Sequence, residues 1–169
     1  MNILLIYSSK TGNTQKVAQA IGEALSVVPT RVEDNPSPKG YDWIIAGFWV
    51  DRGTADGKMK AYLQKLTGQK VALFATLGAE ADSEHAAKCL DNGVALLGEG
   101  CTVVGSFVCQ GKVAPEMVEM MKKMFPEGHP HAMTPERLAR IAKAASHPDE
   151  QDLQAARNYF VDLQQELMG

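Results

Sequence analysis

The chain has 169 residues, of which 45% are hydrophobic and 22% are charged, and its formal net charge at pH 7 is -3. This length and composition predict one globular domain, and the mild negative charge excludes the basic surface typical of nucleic-acid-binding proteins. No apolar run approaches the roughly 18 residues of a membrane span, so no membrane partner is expected.

The first predicted strand, residues 2–7, is continuously apolar and runs directly into a polar loop, residues 8–14. A helical pattern begins at residue 13 and places Val17, Ile21 and Leu25 on one stripe. Hydroxyl groups and free backbone N–H groups beside a helix N-terminus are typical of a phosphate-binding loop. A simple helix cap is the alternative interpretation, but a cap needs only one such residue.

Four further strand-like runs alternate with helical patterns. The strands are predicted at 30–34, 43–49, 70–76 and 102–109, and the helices at 57–66, 83–98 and 150–167. The first, third and fourth of the five strands are continuously apolar, which is typical of a parallel sheet covered by helices on both faces. The alternation predicts a single α/β domain over residues 1–169.

Residues 110–149 interrupt this alternation, and we call them the 110–149 elaboration. They hold five of the eight prolines and two short helical stretches, near 115–125 and 135–145. Five methionines fall between residues 117 and 133, and their spacing favours a helix core over a surface for partner recognition. His129 and His131 are interpreted as part of a turn, because two histidines without a third ligand rarely bind a metal.

The polar loop lacks both the GxxxxGK[ST] pattern and the GxGxxG fingerprint, since Gly12 is its only glycine. Hydroxyls in place of glycines suit a phosphate monoester that is held but not transferred. The run from Ser9 to Thr14, after a strand that ends in Tyr7, resembles the flavodoxin signature T-x-T-G-x-T.

This resemblance implies a flavodoxin-like three-layer sandwich, a five-stranded parallel sheet in the order 2-1-3-4-5, and FMN as the cofactor. It implies phosphate contacts from Ser9, Thr11, Gly12, Asn13 and Thr14, with Ser8 and Lys10 adjacent. The segment before the last helix also resembles that of longer bacterial flavodoxin-like proteins, some of which accompany bilirubin-type reductases.

Flavodoxins place the isoalloxazine ring between aromatics from two loops. By that resemblance the first loop offers Phe48, Trp49, Val50 and Asp51, and the second offers Leu77, Gly78 and Ala79. Trp49 is the first choice to lie against the ring and Phe48 the second, because adjacent strand residues face opposite ways and one of the two packs in the core. The second loop departs from the family because it contains no tyrosine.

Three functions remain open on the sequence. The first is an FMN-binding electron carrier that serves a partner oxidoreductase, with no catalytic acid or base of its own. The second is an FMN-dependent NAD(P)H reductase of a quinone or tetrapyrrole-like acceptor, which the missing tyrosine favours. The third is a non-catalytic flavodoxin-fold scaffold. A cytoplasmic monomer or weak dimer with reduced cysteines is expected, since the N-terminal residues resemble no secretory signal and no CxxC spacing occurs.

Overall fold

The computed structural model describes residues 1–169. Its strands are β1 (Ile3–Tyr7), β2 (Thr30–Arg31), β3 (Trp43–Asp51), β4 (Thr54–Ala55), β5 (Lys70–Leu77) and β6 (Thr102–Gln110). Five of them form a parallel sheet in the order β2-β1-β3-β5-β6, and β4 pairs antiparallel with the end of β3. Counted over the parallel strands alone, this is the predicted 2-1-3-4-5 order, which is confirmed.

Helices cover both faces of the sheet and complete the predicted three layers. They are α1 (Asn13–Leu25), α2 (Gly57–Leu63), α3 (Glu84–Val94), α4 (Pro115–Met124), α5 (Pro135–Ala144) and α6 (Glu150–Met168). Helices α1 and α6 pack on one face, and α2 and α3 pack on the other. None of the helices is both long enough and apolar enough to cross a membrane.

The alternation of side chains along each strand separates the core into two clusters. On one face Leu5 and Ile45 are buried together with Phe160 of α6. On the other face Leu4 and Ile44 are buried together with Met59 of α2. Because both faces are apolar, the central strands are continuously hydrophobic, and their carboxyl ends meet at one edge of the sheet.

Strand β3 extends to Asp51, two residues beyond the predicted end, and forms a hairpin with β4. The turn consists of Arg52 and Gly53, whose φ angles are 52° and 82°. Two consecutive residues with positive φ are typical of a type I′ turn, which connects antiparallel strands tightly. The Asn92 side-chain amide of α3 donates a 2.8 Å hydrogen bond to the carbonyl oxygen of Gly53, so the hairpin tip is anchored.

The 110–149 elaboration lies between β6 and α6, and its helices pack little against the sheet. Helix α4 has no buried residue, and only Ala144 is buried in α5. The side chains of Met120 and Met124 are 49% and 60% exposed. The interpretation of these methionines as a helix core is therefore wrong, because a helical spacing predicts an apolar face without saying what covers it.

Candidate cofactor site at the carboxyl edge of the sheet

The polar loop connects β1 to α1 at the carboxyl edge of the sheet. Gly12 has a φ angle of 98° and serves as the N-cap of α1, where it offers no capping side chain. The Ser9 hydroxyl oxygen accepts hydrogen bonds from the N–H of Gly12 at 3.1 Å and from that of Gln15 at 3.4 Å. Glycine allows this left-handed conformation, which turns the chain sharply into the helix.

The loop leaves backbone donors available for a ligand. The N–H groups of Lys10 and Thr11 make no hydrogen bond to another backbone or side-chain group of the protein. Those of Asn13 and Thr14 belong to the first turn of α1, where an N–H has no intrahelical acceptor. No acidic residue lies in that turn to offset the helix dipole. This donor set fits a phosphate monoester.

Two hydroxyls of the loop are already engaged inside the protein. Ser8 is 2% exposed, and its Oγ donates a 2.7 Å hydrogen bond to Oδ1 of Asp56. Thr14 is 1% exposed, and its Oγ1 lies 2.9 Å from Oγ1 of Thr76 on β5. These side chains fix the loop to its neighbours, so Thr14 is left with its backbone N–H to offer to a ligand.

Asp56 is a buried carboxylate that sequence reasoning missed. Its Oδ1 accepts hydrogen bonds from Ser8 and from the backbone N–H groups of Lys58 and Met59, which caps α2. Its Oδ2 is buried and has no hydrogen-bond partner. Burial raises the pKa of Asp56 above its ordinary value, and the hydrogen bonds from Ser8 and the backbone oppose that rise. An aspartate before a helical pattern predicts a cap, but not the contact with Ser8.

The two aromatic residues at the end of β3 have different environments. Phe48 is fully buried in the core on the α2 and α3 face. Trp49 is only half-buried, and the ammonium group of Lys10 lies 5.3 Å from the centre of its ring. The backbone carbonyl oxygen of Trp49 also accepts a 3.2 Å hydrogen bond from the N–H of Asp56. Trp49 is therefore the aromatic that lies next to the polar loop.

The next two positions on the hairpin, Val50 and Asp51, are half-buried and pair with Ala55 and Thr54 of β4. They belong to a regular hairpin rather than to the open loop that the sequence predicts. The hairpin forms because the chain reverses at Arg52, which has a positive φ angle. The sequence does not predict this turn, since a positive φ angle at a non-glycine residue is not evident from composition.

The loop between β5 and α3 lies at the same carboxyl edge of the sheet, and we call the space between this loop, the polar loop and the β3–β4 hairpin the cleft. Leu77 is buried against Ala86 and Cys89, whereas Gly78 and Ala79 are half-buried. No aromatic residue lies between Leu77 and the start of α3. The hydroxyl of Ser83 caps α3 by accepting from the N–H of Ala86 at 3.1 Å.

An ion pair connects this loop to the 110–149 elaboration. The ammonium group of Lys143 on α5 lies 2.9 Å from Oε1 of Glu80. The hydrogen bond and the charge of Lys143 lower the pKa of Glu80. Both side chains are about half exposed, so this pair orients α5 beside the cleft and adds little to the stability of the fold.

Residues 4–161 match the family model described as a flavodoxin domain. The chain belongs to the flavodoxin family. It is similar to a flavodoxin-like domain-containing protein, BilS, of Clostridioides difficile (strain CD3), with 31% identity over 96% of each chain. The family assignment made from the polar loop is thus confirmed.

Solved flavodoxins and flavoproteins share the fold. Flavodoxin 2 from Bacillus cereus superposes with a TM-score of 0.56 at 19% identity and covers 98% of this chain and 99% of that chain. A flavoprotein from Lactobacillus acidophilus in complex with FMN superposes with a TM-score of 0.51 at 18% identity over 63% of this chain and 92% of that chain. At these identities the likeness supports the flavodoxin fold alone.

Proposed function

We propose that this flavodoxin-family chain binds FMN and carries electrons to a partner oxidoreductase. The observation that carries the proposal is the polar loop, in which the N–H groups of Lys10 and Thr11 have no partner in the protein and which leads directly into a helix N-terminus without an acidic residue in the first turn. Such a site favours a dianionic phosphate, and a phosphate monoester distinguishes FMN from riboflavin.

In this proposal the phosphate end is held by the backbone N–H groups of the loop and by the hydroxyls of Ser9 and Thr11. The Ser9 oxygen already accepts from the N–H groups of Gly12 and Gln15, so its O–H is the group left to donate to the phosphate. Lys10 adds a positive charge, and Gly12 allows the loop to approach the ligand closely. Ser8 and Thr14 hold the loop in shape through Asp56 and Thr76. No residue of the loop transfers a proton.

At the ring end, Trp49 supplies an aromatic surface beside the phosphate loop, and Val50 and Asp51 form the adjoining edge. Gly78 and Ala79 offer backbone groups on the other side, while the buried side chains of Leu77 and Phe48 support the two walls from the core. Bound FMN supplies the redox chemistry, and the protein supplies binding, orientation and exclusion of water.

Titration of the protein with FMN and with riboflavin tests this proposal. We expect FMN to bind at least about tenfold more tightly, which corresponds to about 1.4 kcal/mol from the phosphate contacts. Equal affinities would contradict a phosphate site in the polar loop. A protein that binds neither ligand would instead favour a scaffold that keeps the fold without the flavin.

One observation favours a second function, an FMN-dependent NAD(P)H reductase of a small quinone or tetrapyrrole-like acceptor. The loop after β5 offers no aromatic ring to stack on the second face of a flavin, so a small acceptor does not have to displace one to reach that face. Steady-state oxidation of NADPH by the isolated protein in the presence of a quinone separates the two functions. A carrier shows negligible turnover without its partner protein, whereas a reductase turns over alone.

We propose a cytoplasmic monomer or weak dimer, with a redox protein as the partner. The three cysteines, Cys89, Cys101 and Cys109, form no disulfide, which suits a reducing compartment. Burial raises the pKa of the Cys109 thiol to about 12, so this group acts as part of the core rather than as a nucleophile.

A further inference from the structure

Residues 111–113 follow β6 directly and contact both sides of the cleft, and we call them the bridging segment. The side-chain amide of Asn13 donates a 2.9 Å hydrogen bond to the carbonyl oxygen of Lys112. The backbone of Gly111 packs against the same side chain, since a Cβ added there would lie 2.7 Å from Nδ2 of Asn13. Position 111 therefore accommodates only glycine while Asn13 keeps its place.

The bridging segment is equally fixed to the loop after β5. The N–H of Gly111 donates to the carbonyl oxygen of Leu77 at 2.8 Å, and the Gln110 side-chain amide donates to that of Gly78 at 3.1 Å. Val113 fills the space beside Gly78, where an added Cβ would lie 2.6 Å from Cγ2 of Val113. Both glycines thus mark close packing between the bridging segment and the cleft.

The carboxyl-terminal end of the 110–149 elaboration, at His147, contacts the bridging segment. The N–H of Lys112 donates to the carbonyl oxygen of His147 at 2.8 Å. The Nδ1 atom of His147 in turn lies 2.6 Å from Oδ2 of Asp152, in the capping box of α6. The bridging segment is therefore held from three sides, by the polar loop, by the loop after β5 and by His147.

We propose that the bridging segment is a third wall of the FMN site and that Gly111 acts on the phosphate end as a positioning residue through Asn13. The proposal rests on the FMN binding proposed above. The Asn13 side chain is engaged by Lys112, which leaves its backbone N–H to serve the phosphate. At the opposite end of the segment, Val113 occupies the side of the cleft where the loop after β5 has no aromatic residue.

The test compares FMN and riboflavin affinities of the full-length wild type with those of Gly111→Ala and Asn13→Ala, followed by flavin fluorescence. Each substitution disturbs the contact between the bridging segment and the polar loop. We expect the Kd for FMN to rise about tenfold in both variants, while the Kd for riboflavin stays within about twofold. Thermal unfolding of each apoprotein reports whether the fold is intact.

Gly105→Ala is the matched control, because a Cβ at Gly105 of β6 would lie 2.7 Å from Cδ2 of Leu163, against α6 and away from the cleft. It should lower the Tm and leave the ratio of the two Kd values unchanged. If Gly111→Ala fails to fold, Asn13→Ala carries the test, since it removes the contact with the bridging segment from the other side.

The outcomes separate this proposal from the function on which it rests. If the wild type binds FMN and both Gly111→Ala and Asn13→Ala keep the wild-type ratio of the Kd values for FMN and riboflavin, the proposed role of the bridging segment is wrong. The proposal that the protein binds FMN would then still stand. A loss of preference in Gly105→Ala equal to that in Gly111→Ala would also overturn it, because the effect would then come from general destabilisation. A wild type that binds no FMN would overturn both.

Discussion

The hydroxyl of Ser8 and the carboxylate of Asp56 lie 2.7 Å apart, although 48 residues separate them in the chain. Ser8 begins the polar loop, and the N–H of Asp56 donates to the carbonyl oxygen of Trp49. One buried residue therefore connects the phosphate end of the candidate site with the hairpin that carries its aromatic. These hydrogen bonds help to set the spacing between the two parts.

Replacement of Asp56 by asparagine tests whether the pKa of the buried carboxyl is raised in the folded protein. The amide oxygen can accept the same three hydrogen bonds, while the charge is removed. Burial raises the folded-state pKa above the ordinary value of 3.8, so the folded protein retains this proton to higher pH than the unfolded chain. The stability that Asp56 contributes is thus fully present below pH 3.8 and is lost as the pH rises through the folded-state pKa.

The Asp56→Asn variant has no such dependence at this position, so its Tm relative to wild type should increase between about pH 4 and pH 7. Thermal unfolding at both pH values measures the effect. Asp162→Asn, on the exposed side of α6, controls for the removal of a carboxylate that is not buried. A Tm difference that is constant, or that falls with pH, would contradict the raised pKa.

Trp49→Ala should weaken the ring end of the site. Because an aromatic surface contacts the flavin ring and not its phosphate, the Kd values for FMN and riboflavin should rise by the same factor, about tenfold. Trp49→Phe should restore most of the affinity. A variant that loses FMN but retains riboflavin would instead assign Trp49 to the phosphate end.

Lys10→Gln should act on the phosphate end alone. Lys10 is exposed, so its charge is screened by salt, and we expect the Kd for FMN to rise roughly threefold at low ionic strength and less at high ionic strength. Riboflavin affinity should not change. Lys16→Gln, an exposed position on α1, is the matched control, and an equal effect there would assign the change to net charge.

The methionines of α4 should react with a mild oxidant before those of the core. Met120 and Met124 are 49% and 60% exposed, whereas Met59 of α2 is fully buried. Peptide mass spectrometry after brief peroxide treatment should find sulfoxide at the first two positions while Met59 stays unmodified. Protection of Met120 and Met124 would mean that α4 is covered, either by the protein or by a second copy.

The sequence predicts the sheet well because the signal is local. Continuous apolar runs such as 70–76 are typical of strands buried between two layers of helices, whereas the order of the strands came from the family resemblance and not from the pattern itself. The polar loop is equally local, since its hydroxyls, glycine and helix start are consecutive. These parts of the fold and of the site are encoded within short windows.

The remainder depends on contacts between distant segments. The hairpin at Arg52 was missed because positive φ at a non-glycine residue has no compositional signal. The role of Asp56 depends on Ser8, and that of Gly111 depends on Asn13, 98 positions earlier. The second strand was predicted at 30–34, but it ends at Arg31 because residues Val32–Asp34 form a 3₁₀ helix.

The identity of the chromophore in the protein as purified tests FMN binding most directly. An absorption spectrum, followed by acid release and mass analysis of any bound flavin, compares FMN with riboflavin and FAD. We expect a yellow protein that releases FMN, or an apoprotein that becomes yellow when FMN is added and unbound ligand is removed. A colourless protein that retains no added FMN would contradict it.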